Sequence, residues 1–273
     1  EKEILIGIVP NRGIVEGRSE AEFGDFDYEI TVSGDKVAII GGNACAVWQG
    51  CMAFAKDIER HDDNAVGDMT LSGSARLVKV SCVGDSITEG GNSSDPHSMT
   101  YPVYLQRMLG YDYIVKNHGH SGYSVVFSDE YSYSKSPLYT KAKEFAPDVV
   151  IYMLGTNDCK TYYNASAGLI GKGIEKLIAQ IKNYNSELKI LLMSPIVLGD
   201  EVWKPEYDPE FNTISVKTSH KLKDVYKKIA QKYGCHFLAA SDAASYSNDD
   251  MEHMDATGHR NLADAILNLG LFN

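Results

Sequence analysis

A chain of 273 residues, 44% of them apolar, has enough material for one large core or for two domains. Its formal net charge of -11 repels a polyanion, and its lysines are scattered through helix-like segments, so nucleic acid is not an expected partner. No segment approaches the roughly eighteen apolar residues of a membrane span, and Cys45, Cys51, Cys82, Cys159 and Cys235 are odd in number with no CxxC pair, which argues against a disulfide framework and a structural zinc.

In chain order, ILIGIV (4–9), DYEITVSG (27–34) and KVAIIGG (36–42) are strand signals separated by Gly-rich turns, with a hairpin turn at 32–36. Residues 44–60 put Val47, Cys51, Phe54, Ala55 and Ile58 at helical spacing behind Asn43, a plausible cap. The expectation is a small sheet-plus-helix accessory domain over 1–62 that packs on the rest, being too small to be very stable alone. The polar, Gly-containing stretch 63–75 reads as the connection.

From residue 76 the pattern alternates. Strands are predicted at 77–84, 113–119, 146–155, 188–196 and 235–240, and helices at 99–110, 165–184, 213–234 and 258–270. The strands are continuously apolar, so both faces are covered, as in a parallel sheet. Strand–helix alternation then predicts a three-layer α/β/α catalytic domain over 76–273. Active residues in such a sheet lie beyond the C-terminal ends of strands.

Four stretches stand at such ends: Gly84-Asp85-Ser86, Asn117 to Gly122, Gly155-Thr156-Asn157-Asp158, and Asp250-Met251-Glu252-His253. Any one alone is weak, since a serine after a strand is usually a turn or cap and an asparagine an Asx-turn. Together they carry a chemistry. A serine hydroxyl needs a base before it attacks a carbonyl, and His253 titrates near neutrality. A carboxylate must orient that imidazole; Asp250, three residues away, and Asp255, two away, are the candidates. The developing oxyanion needs donors, for which the Ser86 and Gly122 N–H groups and the Asn157 amide are candidates. Asp85 and Asp158 are read as loop supports that accept backbone hydrogen bonds.

Five aromatic residues lie in the Ser-mixed stretch 123–139. That suits a surface loop stacking on a sugar ring, or equally a packed lid or interface. His120, Tyr123 and, on a second long loop at 198–211, Trp203 are the candidate substrate walls. His97, His118, His120, His253 and His259 lack metal-ligand spacing, and the serine chemistry calls for no metal or cofactor.

These blocks resemble the GDSL-type, or SGNH, hydrolases over residues 76–273, with Ile87 where the family name has leucine. The resemblance implies a flavodoxin-like α/β/α fold and a Ser/Gly/Asn/His site that hydrolyses esters through an acyl-enzyme. It assigns the orienting carboxylate to Asp250. Residues 17–58 are similar to small βα domains that precede catalytic domains in bacterial glycoside-processing enzymes. The expected activity is therefore a serine esterase removing short acyl groups, acetyl first, from a small-molecule, oligosaccharide or polysaccharide ester. A thioesterase or lysophospholipase on the same site is the alternative enzyme. A non-catalytic carbohydrate-binding or structural module is the alternative of another class. Oligomeric state is left open, as is the compartment: a soluble chain, cytoplasmic or exported, with no signal peptide visible.

Overall fold

A computed structural model of the chain describes residues 3–8, 24–59, 66–126 and 130–272. The chain forms two compact units, one of residues 1–78 with 110–114 and one of residues 79–109 with 115–273.

The first unit holds a four-stranded sheet of β1 (Glu3–Ile8), β2 (Asp27–Ser33), β3 (Lys36–Gly41) and β4 (Met69–Ser74), in the order β1-β3-β2-β4. β1 runs parallel to β3, while β2 is antiparallel to both β3 and β4. The β2–β3 hairpin turns at Gly34-Asp35, where Gly34 takes a φ of +56° that favours glycine. Helix α1 (Ala44–Ile58) starts at Asn43, whose Oδ1 accepts from the Ala46 amide at 2.9 Å. Gly50 lets α1 approach the sheet, since a Cβ there would lie 3.1 Å from Ile39 and 3.2 Å from Tyr28.

One expectation is corrected here. Residues 69–74, read as connection, form β4 against β2, from Asp27 opposite Ser74 to Val32 opposite Met69. Met-Thr-Leu-Ser-Gly-Ser carries too few large apolar residues to signal a strand. Its pairing is supported across the sheet, by Ser72 donating to Glu29 at 3.3 Å and by a Ser74–Asp27 hydrogen bond. Residues 60–65 of the predicted helix end and connection lie outside the described residues, as do Val9 of the first predicted strand and residues 17–23.

The second sheet has five strands: β5 (Val78–Gly84), β6 (Tyr113–Gly119), β7 (Val149–Met153), β8 (Lys189–Ser194) and β9 (His236–Ala239), in the order β6-β5-β7-β8-β9. The pairs β5–β7, β7–β8 and β8–β9 are parallel. Numbered within this sheet the order is 2-1-3-4-5, the flavodoxin-like arrangement, whose topological switch point opens a crevice at the C-terminal ends of its first and third strands. Here those are β5 and β7. The helices are α2 (Ser86–Glu89), α3 (Tyr101–Leu109), α4 (Pro137–Glu144), α5 (Ala167–Tyr184), α6 (Thr213–Tyr233) and α7 (Ala256–Leu267).

Alternate residues of the sheet bury to alternate sides. Val150, Tyr152, Ile190 and Leu192 join one cluster with α5 and α6, including Ile174, Ile178, Leu222 and Tyr226. Their neighbours Ile151, Met153, Leu191 and Met193 are equally buried but outside it, while α3 packs on α7 through buried residues such as Leu105 and Leu262. Both sheet faces are covered, and the architecture is α/β/α.

The Tyr-rich stretch, left open between a surface loop and a packed lid or interface, is packed in part. Tyr133 and Tyr139 are buried, their rings 5.6 Å apart, and both belong to the α5–α6 core cluster. The Tyr133 hydroxyl donates to the His118 carbonyl. Ser136 then caps α4 by accepting from Leu138 N at 3.1 Å. The tyrosine rings are large enough to fill core, and the Tyr133 hydroxyl keeps a partner there, so mixed Tyr-Ser composition does not by itself mark a surface loop. Tyr131 remains exposed, and residues 127–129 lie outside the described residues.

Candidate active site

β5 delivers its chain to the crevice through a tight turn. A Cβ on Gly84 would fall 1.9 Å from Thr88 Oγ1 and 2.8 Å from the Met153 carbonyl, so only glycine fits. Asp85 is the N-cap of α2, its Oδ1 accepting from Ile87 N at 3.1 Å, and Ser86 is the first residue of that helix. Asp85 is wholly buried, and its Oδ2 has no hydrogen-bond partner among the described residues. Burial pushes its carboxyl up to about 7, against the pull of the Ile87 amide and of His253.

Ser86 Oγ lies 2.8 Å from His253 Nε2, and His253 Nδ1 lies 2.8 Å from Asp250 Oδ2. Asp250 reaches back because Met251 takes a φ of +58°, and its Oδ1 accepts from the amides of Glu252 at 2.9 Å and His253 at 2.8 Å. The partners assign the tautomer: Nδ1–H donates to the carboxylate and the Nε2 lone pair faces the hydroxyl. Burial favours neutral imidazole, but the Asp250 hydrogen bond and the charges of Glu252, Asp250 and Asp85 outweigh it, so the His253 pKa is raised. For Asp250, burial pushes upward and the His253 and backbone hydrogen bonds overcome it, leaving its pKa lowered.

Asp255 has another task. It caps α7, its Oδ1 accepting from Gly258 N at 2.7 Å.

The second block is wrapped around α2. Asn117 Nδ2 donates to the Thr88 carbonyl at 2.8 Å, and its Oδ1 accepts from Gly119 N at 2.9 Å. A Cβ on Gly119 would meet Glu89 N at 2.2 Å. His120 Nδ1 is 2.7 Å from Ser136 Oγ, and its ring stacks on Tyr123 with centroids 3.9 Å apart. Gly122 takes a φ of +79°. From the third block, buried Asn157 donates through Nδ2 to the Tyr123 carbonyl at 3.0 Å. Asp158 accepts from the Val125 and Val126 amides at 3.0 Å. The loop after β7 thus holds the loop after β6.

The structure therefore brings Ser86, His253 and Asp250 into one hydrogen-bonded line. It joins Gly122 and Asn157 through Tyr123, and sets His120 against Tyr123. Among the described residues no hydrogen bond or ring contact brings Trp203 to them; its Nε1 donates to the Asp200 carbonyl at 2.9 Å. Its loop is tied to the His253 segment by Gly199 N, which donates to the Met251 carbonyl at 2.8 Å.

His118 and His259 have partners of their own. Buried His118 has Nδ1 2.8 Å from Ser81 Oγ. Buried His259 accepts through Nδ1 from Tyr101 N at 3.2 Å. Burial holds the pKa of each down at about 4. Among the described residues no group of three or more His, Cys, Asp or Glu side chains is placed to hold a metal. A cavity of about 410 Å³ lined by Ser241, Tyr246, Asp255 and Asn261 does not include Ser86.

Three further residues at the site went unread in the sequence. Gly91 faces His253, and a Cβ there would lie 2.8 Å from its Cδ2 and 2.9 Å from its Nε2. Glu252 is buried beside His253; burial raises its carboxyl, while His253 and Lys160 draw it down. Glu89 accepts from Ser121 N at 2.7 Å. The Gly90-Gly91 pair was the one available signal, since adjacent glycines after a helix mark close packing or a turn.

A hydroxyl bonded to an imidazole whose far nitrogen is held by a carboxylate is the arrangement that activates a serine for acyl transfer. The sequence profile of the GDSL-like Lipase/Acylhydrolase family matches residues 82–263. The chain is 26% identical, over 211 residues, to an acetylxylan esterase of Xylanibacter ruminicola; the match takes in 69% of this chain and 42% of the relative, so the chain spans less than half of that protein's length. A carbohydrate acetylesterase family member from Sinorhizobium meliloti superimposes with a TM-score of 0.63 at 25% identity, over 71% of this chain and 99% of that one. A second carbohydrate acetylesterase structure from that organism gives 0.60 at 27% identity, over 70% and 97%. With the profile spanning all four blocks and these folds coinciding with the second unit's architecture, the chain belongs to the GDSL-like lipase/acylhydrolase family.

Proposed function

We propose that the chain is a serine esterase that removes short acyl groups, acetyl foremost, from carbohydrate esters. The observation that carries this reading is the line from Ser86 through His253 to Asp250, with both contacts at 2.8 Å. In the proposed reaction, Ser86 Oγ attacks the ester carbonyl while His253 Nε2 takes its proton. Asp250 stabilises the imidazolium. The Ser86 and Gly122 amides and the free hydrogen of Asn157 Nδ2 receive the oxyanion. Collapse expels the sugar alkoxide, which takes the proton from His253 and leaves Ser86 acylated. Water, deprotonated by His253, then attacks the acyl carbon; the bond to Ser86 Oγ breaks, that oxygen takes the proton back from His253, and the acid leaves. In this scheme Asp85 and Asp158 shape the loops and contribute no proton.

The sugar alcohol is inferred from the similarity to proteins named for acetylated xylan and carbohydrates. The first unit, extended through β4, is proposed as an accessory domain.

The test is a paired assay of p-nitrophenyl acetate and octanoate, with acetylated xylo-oligosaccharides alongside, for wild type and Ser86→Ala. Acetyl release by wild type should exceed octanoyl release at least tenfold, and Ser86→Ala should lose at least about 10³-fold in kcat. Faster octanoyl turnover would transfer the reading to a lysophospholipase or thioesterase. Activity surviving in Ser86→Ala would remove the serine mechanism.

A further inference from the structure

The turn after β6 carries four consecutive amides, and three have acceptors in the fold. His120 N donates to the Gly84 carbonyl at 3.0 Å, Ser121 N to Glu89 Oε2 at 2.7 Å, and Tyr123 N to the His120 carbonyl at 3.3 Å. The Gly122 amide has no acceptor among the described residues. Gly122 also supplies no stiffness of its own. Its φ is +79°, nothing lies within 4 Å of its absent Cβ, and glycine is the freest of residues. Whatever aims its N–H must act through its neighbours.

Two of the three acceptors are backbone carbonyls, and the third is a side chain, Glu89. That side chain springs from α2, the four-residue helix that begins with Ser86. The Glu89 amide donates to the Asp85 carbonyl at 3.0 Å, and Gly119 packs against the same amide. One short helix therefore carries the serine at its first residue and grips the turn with its last. A carboxylate accepts such a bond about twice as strongly as a neutral group.

We propose that Glu89 is a positioning residue for ester hydrolysis: its carboxylate, by holding Ser121 N, fixes the Gly122 amide at a set distance and angle from Ser86. The proposal rests on the esterase reading above, in which Gly122 N–H receives the oxyanion. A purely structural role fits poorly, because Glu89 is exposed and substitution of an exposed side chain usually shifts stability little. A charge effect has the opposite sign, because a carboxylate near a developing oxyanion opposes it. Glutamine separates the two, since it keeps an acceptor oxygen and drops the charge.

The experiment compares full-length wild type, E89A and E89Q by kcat and KM on p-nitrophenyl acetate, by Tm, and by NMR hydrogen exchange of the Ser121 amide. E89A should lower kcat about 10- to 100-fold, less than or up to the loss of a whole oxyanion donor, with KM within twofold and Tm little changed. Its Ser121 amide should exchange faster. E89Q should recover most of the lost kcat and the slow exchange. An unchanged kcat in E89A, a raised KM with kcat intact, or a Ser121 amide indifferent to the substitution would each overturn the proposal. An E89Q as impaired as E89A would overturn the acceptor role. If wild type hydrolyses no ester yet E89A still loosens Ser121, the esterase reading fails while the clamp itself stands, so the two failures are told apart.

Discussion

At His253 two forces compete. Burial disfavours the imidazolium, while the Asp250 hydrogen bond and the surrounding carboxyl charges favour it and prevail. General-base action needs the neutral ring, so kcat/KM should rise with pH, with its inflection above the ordinary histidine value of about 6.5. Asp250→Asn removes a group that raises this pKa, so the inflection should move down while the maximal rate falls. A pH–rate profile from about pH 5 to 9 on both proteins checks this; an inflection common to both would detach Asp250 from His253. The Ser81–His118 pair makes the same point by contrast. Its Oγ–Nδ1 distance is also 2.8 Å, yet Ser81 has no exposed surface and His118 is buried with its pKa held at about 4, whereas Ser86 keeps 6% of its surface and His253 is only half-buried. A serine beside a histidine is a nucleophile only where a substrate can reach it. At Asp250 against Asp255 the sequence left two carboxyls beside one histidine. The positive φ of Met251 turns the first back toward the ring, and the second is spent on the cap of α7.

At the scale of elements, α2 is where the backbone leaves least room. The loop after it passes so close to His253 that Gly91 has no space for a methyl group. Gly91 N donates to the Ser86 carbonyl at 2.7 Å, so the loop cannot easily retreat. Gly91→Ala should therefore displace the imidazole from Ser86 and cut kcat/KM on p-nitrophenyl acetate at least tenfold, with far-UV circular dichroism unchanged. Full activity in that variant would mean that the His253 ring has another productive position. The long helices α5 and α6 were legible because their apolar stripes recur at the helical period over five or more turns. β4 and α4 were not. β4 is short and polar, and pairing with β2 decides it; α4 follows a segment whose tyrosines are drawn into the core by contacts from elsewhere in the chain.

At the scale of the whole molecule, the order β6-β5-β7-β8-β9 sets the ends of β5 and β7 side by side, which is why Ser86 and Asn157 stand on one rim. Every residue of the proposed chemistry belongs to the second unit. The first unit includes residues 110–114, where Tyr111 stacks on Trp48 at 5.3 Å and Asp112 accepts from Gln49 at 2.7 Å. A chain beginning at Arg76 strips those partners away. It should melt several degrees lower and be less soluble, yet hydrolyse p-nitrophenyl acetate with kcat/KM within about threefold of full length. Differential scanning calorimetry and the same ester assay read both; a folded but inactive truncation would place part of the site in the first unit.

The sequence by itself determined the fold class and the four blocks, because each depends on short-range facts: apolar runs between turns, a glycine-aspartate-serine turn at a strand end, an aspartate three residues before a histidine. Only the tertiary structure decided which groups meet. Ser86 and His253 are 167 residues apart, and the Glu89 grip on Ser121 and the clearance at Gly91 exist only once separate loops share a rim. Local periodicity carries no information about such distances; sheet order and close packing do.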